Sequence, residues 1–126
     1  MTLQLTIPGR PITKKNHSNL AYNKNTGRMF IRPSKEFEAY QQAAGWHLDH
    51  KGAKLNGRYN LKCVYYMPTR HRVDLGNLLA ATCDILVHYK VLEDDNSRIV
   101  AGHDGSRVLY DKENPRAEVT ITEMED

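Results

Sequence analysis

One segment near the middle of the chain constrains the fold most, because its apolar residues recur at the spacing of a helix. They form one face of a helix from about residue 75 to residue 89, and they are Leu75, Leu78, Leu79, Thr82, Ile85, Leu86 and Tyr89. Asp74, immediately before them, is a favourable N-cap residue, and Gly76 is tolerated in a first turn. An apolar helix face has to be buried against a second layer, so the segment predicts a layered domain.

Segments with the composition of β-strands lie on both sides of this helix. Leu3, Leu5 and Ile7 alternate with polar residues until Pro8, which predicts a half-buried strand. Residues 59–67 are rich in β-branched and aromatic residues and predict a central strand. Further strands are predicted at residues 29–31, 99–101, 108–110 and 117–122, with a hairpin-type turn at Asp104-Gly105.

A second helix is predicted after Ser34, its N-cap, and is expected to end near residues 51–52. Trp46 lies off the apolar face of this helix, and we expect it to pack in the core, with a partner subunit or a neighbouring loop as the alternative contact. The order of elements predicts an α+β fold of two layers, in which helices pack on one face of a small mixed sheet. We expect a single domain over residues 1–126, with a basic loop at about 9–28 and an acidic tail at about 123–126.

The distribution of charge is more informative than the net charge of +3. No acidic residue precedes Glu36, whereas this first part of the chain contains Arg10, Lys14, Lys15, Lys24, Arg28, Arg32 and Lys35. The asymmetry predicts a basic face for a polyanion, with a solvated basic loop as the alternative interpretation. Because we find no apolar run long enough for a membrane span, no secretion signal and no CxxC spacing, we expect a cytoplasmic protein whose Cys63 and Cys83 are buried thiols.

Candidate functional residues lie at both ends of the central helix. Arg70 and Arg72 precede Asp74, and Asn77 follows it in the first turn, where the partial positive charge of the helix attracts phosphate. Residues 93–96 form an acidic group that returns beside Asp74 if the chain reverses after the helix. Carboxylates that hold Mg²⁺ beside basic residues suit phosphodiester chemistry. The alternative interpretation is a simple helix cap and an ordinary acidic turn.

The run RHRVDLGNLLAATCDIL, followed by VLEDDNSRIV, resembles the RusA family of Holliday junction resolvases. That family has a basic residue before D-x-D-N-L-x-K-A-x-x-D-A-L, and then D-D before an extended segment. The specific likeness covers about residues 70–100, and a looser one reaches TIPGRPITKKN and RAEVTITEM. It implies a homodimeric, bacterial or phage-encoded endodeoxyribonuclease that cleaves four-way or other branched DNA in recombination and repair with Mg²⁺, for which Mn²⁺ substitutes.

The resemblance also implies roles for individual residues. Asp74 matches the first metal-binding Asp of the family, Asp95 matches the Asp after the helix, and both are implied to be catalytic. The register after the helix is shifted by about one residue, so Asp94 and Asn96 are rival matches for that Asp. Asp94 and Glu93 are further candidate metal ligands, either of which could supply a third oxygen donor. The candidate DNA-binding residues are Arg70, Arg72, Lys14, Lys15, Asn77 and Arg10.

Two positions depart from the family pattern. Gly76 stands where the family has its second catalytic Asp, and Ala80 stands where it has a Lys implicated in catalysis. One departure removes a metal ligand and the other removes a cation. The alternative to an active resolvase is therefore a junction-binding homologue with weak or no nuclease activity. A nuclease that prefers another branched DNA substrate is a third hypothesis.

Overall fold

The computed structural model describes residues 1–14, 19–32 and 34–125. Its strands and helices are β1 (Thr2–Pro8), β2 (Asn19–Asn23), β3 (Arg28–Arg32), α1 (Lys35–Ala44), β4 (Tyr59–Met67), α2 (Leu75–His88), β5 (Val100–Gly102), β6 (Arg107–Tyr110) and β7 (Arg116–Glu123). The α+β class is confirmed, as are the central strand and the helix that follows it. Neither helix in the described part of the chain is long and apolar enough to cross a membrane.

A mixed five-stranded sheet forms one layer of the fold. β1, β7, β4 and β5 lie side by side in that order, and β6 also pairs with β4. β7 runs antiparallel to β1 and β4, whereas β5 and β6 run parallel to β4. Leu5 and Cys63 both lie opposite Val119, so the apolar positions of three strands share one face. β2 and β3 form a separate antiparallel pair.

The helices cover this apolar face, as predicted. Along β4 every second residue is buried, namely Tyr59, Leu61, Cys63, Tyr65 and Met67. The helices contribute Phe37, Tyr40 and Ala44 from α1 and Leu78, Ala81, Thr82, Cys83, Ile85 and Leu86 from α2. Both cysteines are free and buried, also as predicted, and burial raises the pKa of each thiol to about 12. These thiols are therefore neutral core side chains.

The hydroxyl group of Tyr65 connects the sheet to α2. It lies 2.6 Å from Oγ1 of Thr82 and donates to the carbonyl oxygen of Leu78 at 3.0 Å. Thr82 keeps its own bond to that carbonyl when the tyrosine hydroxyl is removed. We therefore expect Tyr65→Phe to lower the free energy of unfolding by about 1 kcal/mol, measured by urea denaturation. Tyr66→Phe, on the open face of the sheet, is the control, and an equal loss in both variants would contradict the prediction.

The predicted extent of α1 is wrong at its C-terminal end. The helix begins as expected, because the hydroxyl of Ser34 accepts a hydrogen bond from the backbone N–H of Phe37 at 3.1 Å. It ends at Ala44, however, and passes into a 3₁₀ turn over Gly45–His47 instead of continuing to residues 51–52.

A contact with the end of α2 explains this early stop. A Cβ atom on Gly45 would lie 2.6 Å from Cζ of Tyr89, so the ring packs directly on the glycine backbone. The turn places Leu48 in the core, where it is 2% exposed. Trp46, which we expected in the core, is instead 82% exposed. Helical periodicity cannot predict where α1 ends, because the end depends on the contact between Gly45 and the distant residue Tyr89.

Three smaller expectations are also corrected. The basic loop at residues 9–28 is interrupted by β2, whose pairing with β3 gives this stretch a partner that its polar composition does not indicate. The chain turns at Asp104-Gly105, but β5 and β6 do not form a hairpin, since both run parallel to β4. Glu123 is the last residue of β7, so the acidic tail begins one residue later than expected.

Side chains bridge the gap between β5 and β6 along the edge of β4. The hydroxyl oxygen of Ser106 accepts a hydrogen bond from the backbone N–H of Cys63 at 2.9 Å. Nδ1 of His103 lies 2.9 Å from the carbonyl oxygen of Leu61. These side chains provide hydrogen-bond partners for the backbone N–H of Cys63 and the carbonyl of Leu61, which lie between the parts of β4 that pair with β5 and with β6. The parallel arrangement carries β6 to the end of β4 where Arg70 and Asp74 follow.

Candidate functional site

The N-terminus of α2 has the geometry that the sequence predicted. Asp74 is the N-cap residue, with extended backbone angles, and its carboxylate accepts a hydrogen bond from the backbone N–H of Asn77 at 3.2 Å. Asp74 and Asn77 thus lie together at the positive end of a helix of 14 residues. Capping does not prevent the carboxylate from binding a cation, since its side chain is exposed.

A small cleft of about 80 Å³ lies beside this helix end. The segment that leaves β1 forms one wall, and the segment between β4 and α2 forms the other; the lining residues are Arg10, Pro11, Ile12, Thr13, Met67, Thr69, His71, Arg72 and Val73. Arg10 and Arg72, far apart in sequence, therefore belong to one basic cleft. Both were predicted to bind DNA, and the cleft that they line reaches Val73, the residue before the N-cap of α2.

A second groove, of about 280 Å³, lies on the β6 side of the same segment. The guanidinium carbon of Arg70 lies 4.3 Å from the centre of the Tyr110 ring, within the range of a cation–π contact. The sequence pattern predicts only a strand at Tyr110 and does not indicate this contact. The aromatic side chain in an exposed strand was the available signal, but its partner depends on the pairing of β6 with β4.

The acidic turn after α2 is held by its own hydrogen bonds. The carboxylate of Asp94 accepts from the backbone N–H of Asp95 at 2.8 Å and from the side-chain amide of Asn96 at 3.1 Å. These bonds lower the pKa of Asp94. Desolvation, followed by the negative charges of Asp94 and Asp84, raises the pKa of Asp95. The surroundings therefore favour the charged form of Asp94 and disfavour that of Asp95.

Asp84 lies in mid-helix beside the apolar face, a position that predicts a structural hydrogen-bonding residue rather than a metal ligand. Its carboxylate accepts a hydrogen bond from Nζ of Lys14 at 3.3 Å, which confirms the structural contact, and both side chains are partly exposed. It also lies close enough to Asp95 to raise the pKa of that residue. The sequence places Asp84 on the same helical stripe as Asn77 and off the buried face of α2.

The predicted meeting of Asp74 and Asp95 around one cation stays a prediction. Asp84, the neighbour of Asp95, is ten positions beyond Asp74 (74 to 84), which is about 15 Å along a helix axis. Among residues 1–14, 19–32 and 34–125, no group of three or more His, Cys, Asp or Glu side chains is arranged to hold a metal ion. Glu93 is exposed, and Lys15 lies outside the described residues.

The charge of Asp84 provides a test of this electrostatic arrangement. Asp84→Asn removes a negative charge near Asp95, so the pKa of Asp95 should fall toward the ordinary range of an aspartate. We expect the carboxyl carbon of Asp95 in metal-free protein to titrate at lower pH in this variant, as measured by NMR. Asp104→Asn, in the turn before β6, is the control that should leave this titration in place. A higher or unchanged pKa in Asp84→Asn would contradict the arrangement.

Comparison with known proteins adds one finding to this geometry. A sequence model of the family described as "Endodeoxyribonuclease RusA" matches residues 8–122 of the 126-residue chain. The matched residues include those that line the Arg10–Arg72 cleft and the Arg70–Tyr110 groove, the N-terminus of α2 and the acidic turn. No curated protein sequence matches the chain.

Proposed function

Because the chain belongs to the RusA endodeoxyribonuclease family, we propose that it is a Mg²⁺-dependent nuclease that resolves four-way and other branched DNA junctions. The resemblance found in residues 70–100 is confirmed by the family match. One structural observation supports the proposal in particular: Arg10 and Arg72 line one cleft just before the N-cap of α2. Two arginine side chains that line one cleft are well suited to binding a phosphodiester.

In this proposal the basic residues position the DNA backbone. Arg10 and Arg72 bind phosphate in the small cleft, and Arg70 acts on the opposite side of the same segment. Lys14 and Lys15 are proposed as further phosphate contacts. Asn77 contributes its side-chain amide, since its backbone N–H is bound to Asp74. These contacts hold the backbone and stabilise the negative charge that develops during cleavage.

The acidic residues fit a hard divalent cation, because carboxylate oxygens are the ligands that Mg²⁺ prefers. We propose Asp74 and Asp95 as its ligands, with Asp94 and Glu93 as further oxygen donors, and all four side chains are exposed. Desolvation and then the charges of Asp94 and Asp84 raise the pKa of Asp95, and a bound cation would favour the charged form of this carboxylate. When bound, Mg²⁺ or Mn²⁺ would activate water and stabilise the leaving oxygen.

A homodimer belongs to the proposal because a four-way junction has two-fold symmetry. Two symmetric cuts need two sites related by the same axis, which a closed dimer supplies. We propose that this dimer works in recombination and repair in the cytoplasm of a bacterium and that its gene is bacterial or phage-encoded.

The proposal is tested by incubating the protein with a mobile four-way junction or a linear duplex in Mg²⁺, Mn²⁺ or EDTA. We expect paired nicks in the junction with either metal and none in EDTA, with much slower cleavage of the duplex. Equal cleavage of the junction and the duplex would overturn the selectivity. Absence of binding to both would overturn the nucleic-acid function.

A second candidate function is a junction-binding protein with weak or no nuclease activity. It is favoured by the site of Gly76, where a Cβ atom would lie 3.1 Å from Oδ1 of Asp74. A family Asp at this position would lie beside Asp74, and here that carboxylate is missing. Ala80, one turn later, also lacks the family cation. Tight junction binding without nicking in either metal would favour this second function.

A further inference from the structure

The end of β6 next to α2 leaves apolar side chains uncovered. Parallel pairing places Val108 opposite Tyr65 and Tyr110 opposite Met67, so these side chains share the face that the helices bury. Tyr65 and Met67 are 1% and 6% exposed, whereas Val108 and Tyr110 are 36% and 39% exposed. The helices therefore stop short of β6, and a partly apolar groove remains open at this corner of the sheet.

The second wall of this groove is basic. Thr69, Arg70 and His71 line it opposite β6, and the guanidinium of Arg70 stacks on Tyr110 at 4.3 Å. An aromatic ring, a planar guanidinium and aliphatic side chains together form the kind of surface on which nucleobases stack. An apolar peptide would not need the cation, and a phosphate alone would not need the ring.

The position of the groove points to the same ligand. The segment at residues 69–73 has the Arg10–Arg72 cleft on one side and the Arg70–Tyr110 groove on the other. A nucleotide bound across this segment would have its phosphate in the first and its base in the second. Inside an intact duplex each base is stacked on both faces, whereas a branch point can expose a base face.

We propose that the Arg70–Tyr110 groove binds a nucleobase whose face is exposed at the branch point of the DNA and so contributes to the selection of branched over linear DNA. This rests on the proposed function, because it takes branched DNA as the ligand. Tyr110 is a binding residue in this scheme and has no part in hydrolysis. Stacking of one base on Tyr110 should change the affinity for branched DNA roughly ten-fold.

The test compares affinities for a four-way junction and for a linear duplex of the same sequence, both in EDTA. Tyr110→Ala is expected to weaken junction binding roughly ten-fold and to leave duplex binding unchanged, while Tyr110→Trp retains junction binding. Thermal unfolding of each variant verifies that β6 remains folded. If Tyr110→Ala weakens both substrates equally, or neither, the proposal is overturned.

The chain offers a matched control in its other arginine–tyrosine stack. Arg116 lies 3.8 Å from the centre of the Tyr66 ring, but it is also hydrogen-bonded to Asp111 at 2.9 Å and to Glu118 at 3.2 Å. Because these carboxylates neutralise the cation, Tyr66→Ala should leave both affinities unchanged. A loss of junction selectivity in Tyr66→Ala equal to that in Tyr110→Ala would overturn the assignment to this groove.

A measurement of the oligomeric state distinguishes two occupants of the Arg70–Tyr110 groove, a nucleobase and a second copy of the chain. If Tyr110→Ala converts a dimer into a monomer on sedimentation, the groove is a subunit interface and the nucleobase proposal is overturned. We expect the oligomeric state to be unchanged. Failure of the nucleobase proposal would leave metal-dependent junction cleavage by the unmodified protein intact, whereas failure of the proposed function would remove that cleavage itself.

Discussion

Asp95→Asn is expected to reduce Mg²⁺-dependent cleavage of a four-way junction by at least about 100-fold, and Asp74→Asn is expected to do the same. A bound cation contributes several kcal/mol of stabilisation to the transition state, and each 1.36 kcal/mol corresponds to about a ten-fold change in rate. Junction affinity in EDTA should change little, because the proposed phosphate contacts of Arg10 and Arg72 remain. Single-turnover cleavage and a binding titration measure the two effects separately.

Asparagine is the informative replacement at both positions. At position 74 it keeps the N-cap, since Asn and Asp cap helices almost equally well, so a loss of activity is not a loss of α2. Asp104→Asn removes an exposed carboxylate elsewhere and should cleave at the normal rate. Unchanged cleavage in both Asp74→Asn and Asp95→Asn would exclude these two residues as the metal site.

Co-expression of the two inactive variants shows whether the Asp74 and Asp95 of one metal site come from the same chain or from two chains. About 15 Å of helix axis lies between Asp74 and Asp84, the neighbour of Asp95, so we expect a functional pair to form between two chains. A heterodimer of Asp74→Asn with Asp95→Asn would then keep one intact site, and co-expressed chains should regain nicking. If co-expression restores no nicking, each site takes both residues from one chain.

Gly76→Asp is expected to increase cleavage by at least about ten-fold, which corresponds to about 1.4 kcal/mol. The new Cβ atom would lie 3.1 Å from Oδ1 of Asp74, so a carboxylate at position 76 adds an oxygen donor beside the existing one. An acidic residue in the first turn also suits the helix dipole, whereas its repulsion with Asp74 opposes folding without metal. Mg²⁺ should therefore stabilise this variant against heat more than it stabilises the unmodified protein.

Gly76→Asn is the matched control, because it has the same shape without the charge. It should gain neither cleavage nor Mg²⁺-dependent stability. Adding Ala80→Lys to Gly76→Asp restores the family cation one turn later, and we expect a further increase in cleavage without tighter metal binding. If Gly76→Asp binds Mg²⁺ no better than Gly76→Asn, position 76 does not adjoin a metal site in the working protein.

The local elements of this fold could be predicted because each depends on neighbours in sequence. The N-caps Ser34 and Asp74 bind backbone groups three residues later, so their signal lies within one turn. The alternation in β4 likewise follows from the period of a strand. The early end of α1 and the exposure of Trp46 could not be predicted, because they depend on the ring of Tyr89.

The sequence by itself determined the apolar face and N-cap of α2, the basic residues before it and the acidic residues after it, because these are properties of residue type and spacing. Only the tertiary structure decided which of them become neighbours. It brought Arg10 to Arg72, Arg70 to Tyr110, and Asp84 to Lys14. Each contact joins segments far apart in the chain, and its distance depends on sheet pairing and helix packing rather than on any local preference.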